Sequence, residues 1–155
     1  MHALAVEPIE TLASPPGPQW RRREDVLVMD VMQGYRRRGG FVSGEEIVQI
    51  MRASWRQPIS VLARWIVARQ VLSFSWRSQI LLPLFQFEEP RMRPLDGVVA
   101  VTTELKDVFD DLELADWFIK ANAWLGDDAP ADRVITDLPA VLEAARADRF
   151  IARGC

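Results

Sequence analysis

Between Ala115 and Gly154 two apolar-periodic runs flank a Gly126-Asp-Asp-Ala-Pro130 break. Trp117, Phe118, Trp124, Leu125, Val134, Ile135, Val141, Leu142, Phe150 and Ile151 recur mostly three and four residues apart, which is a helical period. Gly126 suits a left-handed helix stop, and Pro130 suits the first turn of the helix that follows. Such a stretch does not make sheet. It is expected to form roughly three helices. Trp117 and Trp124 are expected to stack on one helix face in the core, with partial exposure of Trp124 at the turn as the other reading.

The upstream chain is read against that helical block. Pro8, Pro15, Pro16, Gly17 and Pro18 exclude regular structure at the start, so 1–22 is expected to be a disordered tail. Glu24 to Arg38 predicts a helix, with acids at its start, three Arg at its end and Gly39-Gly40 as its stop. Ser43 with Glu46 is a capping-box pattern, so a short helix begins there. After a connector at 53–57, Pro58 starts another helix that runs to about Gln70. Two strand-rich runs, 71–76 and 79–87, then flank Arg77-Ser78 and predict a hairpin, and Pro83 makes the second strand an edge strand or ends it. A loop at 88–97 leads into a helix from Val98 to Phe109.

The fold class is therefore mainly α: a helical bundle carrying a helix-turn-helix-like block and one short β-hairpin. Residues 23–97 form the helix-turn-helix-like block with its hairpin and loop, and 98–155 form the helical block. The two are expected to pack as one unit, because Phe85-Gln-Phe87 leads directly from one to the other.

Charge divides along the same line. Residues 1–80 hold 11 Arg and 7 acids, and residues 81–155 hold 8 Lys/Arg and 15 acids. A basic front and an acidic back point to two surfaces with different partners. The single Cys, Cys155, excludes an intrachain disulfide and a Cys metal cluster, and a reducing cytoplasm is the natural setting. The start of the sequence lacks the basic, then apolar pattern of a secretory signal, and no apolar run reaches membrane-span length.

Catalysis finds little support. His2 is the only His, and no Gly-rich phosphate loop or zinc spacing occurs. Asp107, Asp110, Asp111, Glu113 and Asp116 read as a solvated acidic face. No enzyme activity, cofactor or metal is expected.

A second helix followed by a two-stranded wing is the winged helix-turn-helix arrangement. The front block resembles excisionase-like and MerR-like DNA-binding domains, with Arg64-Trp65-Ile66 as its best local match. That resemblance implies that Ser60, Val61, Arg64 and Ala68 face a DNA groove and that Arg56 and Arg77 reach phosphates. An ordinary pair of packed helices is the other reading.

In the back block, Asn122-Ala-Trp-Leu125-Gly126-Asp-Asp-Ala-Pro130 follows a Trp-bearing helix. This resembles the C-terminal toxin-binding domain of the MbcA/ParS/Xre antitoxin family over about Asp107 to Gly154. The chain departs from the family pattern at Ala121, Asp127 and Leu138-Pro139. The resemblance implies a protein toxin as partner, of which NAD-consuming RES-domain toxins are one class, docked through Asn122, Trp124, Leu125, Gly126 and Pro130. It also implies operator DNA as a ligand of the front block, and oligomerisation. A DNA-binding regulator without a toxin, and a stand-alone interaction adaptor, are the alternatives.

Overall fold

The computed structural model describes residues 18–154, with side chains from Arg23 onward. The tail expected at 1–17 lies outside the described residues. Residues 18–22, expected to belong to that tail, instead open the first helix, α1 (Pro18–Tyr35). Proline is tolerated in a first helical turn because its missing N–H would have no intrahelical partner there. Glu24 and Asp25 therefore sit past the first turn, and Asp25 accepts a hydrogen bond from Trp76 Nε1 instead (3.3 Å). A 3₁₀ turn at Arg36–Arg38 follows, and Gly39 at φ 89° stops it, as the sequence predicts.

The chain then forms β1 (Phe41–Ser43), α2 (Gly44–Met51) and α3 (Pro58–Val67). Ser43 Oγ accepts from Glu46 N while Glu46 Oε2 accepts from Ser43 N, both at 3.2 Å, so the capping box is complete. The helix predicted to reach Gln70 ends at Val67, and Arg69 takes φ 52° just beyond it. That residue is tied down: its guanidinium pairs with Asp111 at 3.0 Å and donates to the carbonyls of Lys106 and Phe109.

The hairpin follows as β2 (Phe74–Trp76) and β3 (Gln79–Pro83), turning through Arg77 and Ser78, both at positive φ. The expectation that Pro83 makes an edge strand is corrected. Strand order is β1-β3-β2, so β3 is central, and Pro83 only ends it, opposite Phe41. Helix, strand, two helices and a hairpin whose sheet the first strand completes make up the helix-turn-helix-like block that the sequence predicts, with one more strand than expected. The loop expected at 88–97 holds a small second hairpin, β4 (Phe87–Glu88) with β5 (Arg93–Pro94), around a cis Glu89–Pro90 bond.

Four helices complete the chain: α4 (Asp96–Leu105), α5 (Asp111–Ile119), the single turn α6 (Pro130–Arg133) and α7 (Leu138–Ala152). The protein is mainly α, as its periodicity predicts.

Two apolar cores lie on opposite faces of the small sheet. Successive residues of a strand point to opposite faces, and β3 uses both: Leu81 enters the larger core and Leu82 the smaller. The smaller core packs Ile47, Val48 and Met51 of α2 against Leu62, Val71, Phe87 and Met92. The larger joins Val28, Val31 and Tyr35 of α1 to Phe74, Leu105, Leu114, Phe118, Val141 and Ala145. Full burial of side chains this size contributes about 1.5–3 kcal/mol each.

The front helix α1 thus belongs to the core of the back block. Tyr35 Oη donates to Ala115 O (2.7 Å), its ring lies 5.6 Å from Phe85, and Phe85 lies 5.6 Å from Phe118. Gly34 permits this approach, since a Cβ there would overlap the Ile119 side chain of α5. Burial raises the Tyr35 hydroxyl far above the usual phenol range, so it stays a neutral donor.

Candidate functional site

The Asn122–Pro130 segment folds as a sequence of local devices. Helix α5 stops at Ile119, and Lys120 is extended. Asn122 then caps a 3₁₀ turn at Ala123–Leu125: its Oδ1 accepts from Trp124 N at 3.0 Å. Gly126 (φ 62°) and Asp127 (φ 69°) both take the left-handed conformation, which Gly adopts freely and Asp tolerates. Asp127 N donates to Asn122 O (2.9 Å) and Asn122 N to Asp128 O (3.1 Å), closing the turn. Pro130 starts α6 in its first turn.

The five residues expected to meet a partner separate by burial. Asn122 (8% exposed), Leu125 and Pro130 are buried. They hold the turn from inside. Gly126 is exposed, and Trp124 is 60% exposed.

Expectation and structure part on the two tryptophans. They do not stack on one helix: Trp117 lies on α5 and Trp124 on the 3₁₀ turn, because the helix ends between them. What they share is a carboxylate. Trp117 Nε1 donates to Asp148 Oδ2 at 2.8 Å, Asn122 Nδ2 donates to the same oxygen at 3.0 Å, and Trp124 Nε1 donates to Oδ1 at 3.2 Å. Asp148, on α7, is the residue that sequence reasoning missed. It is one acid on an amphipathic helix, and nothing local distinguishes it from a solvated one. Charge-assisted bonds of this kind are about twice as strong as neutral ones, so the carboxylate fixes the indole of Trp124 against the body of the protein.

Beside this clamp lies a cavity of about 310 Å³ lined by Phe109, Glu113, Asp116, Trp117, Lys120 and Asn122, among others. Lys120 pairs with Asp116 at 2.5 Å, one helical turn away. A hydrogen bond shared with Asp110 pushes the Glu113 carboxyl above its ordinary value. Two further acids of the cluster have structural partners: Asp110 caps α5 through Glu113 N (2.8 Å), and Asp111 pairs with Arg69. Among the described residues no group of three or more His, Cys, Asp or Glu side chains is placed to hold a metal ion, and no helix is long and apolar enough to cross a membrane.

In the front block Arg56, Ser60, Arg64, Ala68 and Arg77 are exposed, and Val61 is partly buried against the smaller core. The guanidinium of Arg77 lies over the Trp76 ring, 4.2 Å from its centroid, at the tip of the hairpin. Trp65 and Ile66 pack inward with Leu62, as expected for the inner face of α3.

No protein-family model, no curated protein and no solved structure matches the chain. What fold and site define is a mainly α protein in which a helix-turn-helix-like block with a three-stranded sheet shares its core with a helical block bearing a clamped, exposed tryptophan.

Proposed function

We propose that this chain is an antitoxin-like binding protein that docks a protein toxin through the Trp124 surface of its C-terminal block. One observation carries the reading: Trp124 is 60% exposed yet is held at both ends, its backbone N–H by Asn122 and its indole N–H by Asp148. An exposed aromatic costs least to bind when it is already immobilised, and large aromatic anchors dominate interface energetics. Ile151, one turn beyond Asp148 on α7, is also exposed and extends the apolar surface. The spacing of Asn122, Leu125-Gly126 and Pro130 adds the family resemblance, and with it a toxin of the NAD-consuming RES class as the expected partner in the cytoplasm. The reading has no catalytic role for the chain; it acts by occupying the toxin.

Co-expression with the protein encoded beside it tests this. The neighbour is expected to be toxic alone and to co-purify with this chain in a complex that Trp124→Ala weakens at least about thirtyfold. A harmless neighbour that never co-purifies sinks the reading.

A second reading rests on Arg56, Arg64 and Arg77, exposed on the helix-turn-helix and hairpin and in no ion pair among the described residues. These side chains suit phosphate contacts, with Ser60 toward a DNA groove, whereas Val61 packs against the smaller core. Binding to the DNA upstream of its own gene, weakening steeply with salt, supports it; salt-insensitive or absent binding rejects it.

A further inference from the structure

The cavity beside the Asp148 clamp is built from two kinds of surface. Phe109 and Trp117 give it aromatic walls, and Glu113, Asp116 and Asp148 give it carboxylates. Among the described residues Lys120 is the one basic side chain that lines it. The aromatic wall is fixed in place. The Trp117 indole donates to Asp148 at 2.8 Å and packs edge-on against Phe118, ring centroids 5.2 Å apart.

Its charge is not balanced. Asp148 takes all three of its hydrogen bonds from neutral donors, the two indoles and the Asn122 amide. Those bonds orient the carboxylate without cancelling its charge. Asp148 and Glu113 are in no ion pair among the described residues, and only Asp116 is answered, by Lys120. Three carboxylates against one ammonium leave the cavity with two negative charges in excess near neutral pH. Asp116 and Asp148 are partly withdrawn from water, where an unpaired charge is costly and an opposite charge is strongly favoured. These carboxylates do not converge as metal ligands do. A flat organic cation fits both surfaces at once: a guanidinium stacks on aromatic faces, bonds carboxylates in its own plane and sheds water more readily than an ammonium.

We infer that this cavity is a binding site for a guanidinium group, and that in the docked complex an arginine side chain of the toxin supplies it. The second half rests on the toxin-docking reading; the first does not. Asp148 belongs both to the cavity and to the clamp on Trp124. A partner seated on Trp124 therefore reaches the cavity with one long side chain. The acidic back half of the chain, with 15 acids against 8 Lys/Arg in residues 81–155, favours the approach of such a basic surface.

Titrating the full chain with N-acetyl-arginine methylamide, followed at the Trp117 indole N–H by nuclear magnetic resonance, tests the site without any toxin. The resonance is expected to move saturably, and the uncharged citrulline analogue is expected to leave it in place. Glu113→Gln is expected to weaken the probe about threefold, and Lys120→Gln, which removes the competing cation, to tighten it about threefold. Both side chains are exposed, so thermal unfolding of either variant is expected to match the parent, and a merely structural role does not move affinity in opposite directions. In the complex with the toxin, Glu113→Lys is expected to weaken binding about tenfold or more, and added salt to weaken the parent complex. No saturable shift, an equal shift from citrulline, or variants that fail to move affinity in opposite directions overturn the site. A toxin that binds but ignores Glu113→Lys overturns the arginine contact and leaves docking standing. A chain that takes the probe while no neighbour binds it keeps the site and loses docking together with its arginine.

Discussion

Asn122 and Asp148, 26 residues apart in the chain, are joined by a 3.0 Å hydrogen bond from amide to carboxylate. Through it the turn after α5 is fastened to the last helix. The same carboxylate receives both neighbouring indoles, so one acid orders a buried amide, a half-buried Trp and an exposed Trp together. The surface that the turn displays is therefore set by a residue on another element.

Removing that acid strands its donors. Asp148→Ala leaves Asn122 Nδ2 and Trp117 Nε1 without their acceptor, and a hydrogen bond to a charged group contributes about 1.5–3 kcal/mol. Urea unfolding is expected to show a loss of about 2 kcal/mol. Asp148→Asn, which keeps one acceptor oxygen, is expected to lose less.

Trp124 separates binding from folding. Its exposure means that Trp124→Ala costs the fold about 1 kcal/mol or less, chiefly the exposed hydrogen bond to Asp148, while an aromatic anchor of an interface is worth about 2 kcal/mol or more. Calorimetric titration against the partner is expected to show at least about a thirtyfold weaker complex with a melting temperature lowered by no more than about 4 °C. Unfolding without selective loss of binding would make Trp124 a core residue.

Gln86 is the polar keystone under the hairpin. Fully buried, it donates to Leu72 O (2.9 Å) and Pro83 O (3.0 Å) and accepts from Leu72 N (2.7 Å). Gln86→Leu fills the space but leaves those backbone groups unpaired. A destabilisation of about 3 kcal/mol or more is expected in denaturant melts.

Thr102 behaves in the opposite sense. Its hydroxyl is buried in α4 and has no partner among the described residues. Thr102→Val keeps the shape and removes the unsatisfied group, so stability is expected to rise by about 1 kcal/mol in the same assay.

Acid weakens one specific clasp. Arg38 Nε and Nη2 hold the Asp132 carboxylate at 2.8 and 2.6 Å. The bond to Arg38 lowers the Asp132 carboxyl below its ordinary value. A carboxyl lowered in the folded state stabilises above its unfolded pKa, and that stability fades as pH falls through the folded value. The half-exposed pair is worth about 0.5 kcal/mol. Asp132→Asn is therefore expected to melt lower than the parent near neutrality, with the gap closing below about pH 4. A gap that persists in acid would assign the clasp to shape rather than charge.

Features readable from the sequence were those whose physics is local. Ser43 and Glu46 announce a capping box three residues apart, Gly39 and Gly126 announce left-handed stops, and Pro130 announces a helix start. Strand β1 was not readable: three residues show no period, and what makes them a strand is Leu81–Pro83, some forty positions on. Pro83 suggests an edge strand or a strand end, and only the second holds, because β1 pairs along β3 up to that proline. Residues 18–22 look like tail because the proline cluster runs up to Pro18, yet that last proline sits where a helix accepts one. Asp148 was invisible because its meaning is the company it keeps. The seven-residue spacing of the indoles suggests a shared helix, but α5 ends at Ile119, between them.

Because α1 lends Val28, Val31 and Tyr35 to the core built by α4, α5 and α7, the two halves of this chain are not interchangeable modules. A recombination that swapped the winged block at residue 97 would carry away one wall of its neighbour's interior. Exchanges that leave α1 in place, entering after Gly39, keep that wall, but they must still supply apolar side chains where Phe74 and Leu81 reach the same core. Shuffling of such proteins is thereby confined to the segment from β1 to the hairpin.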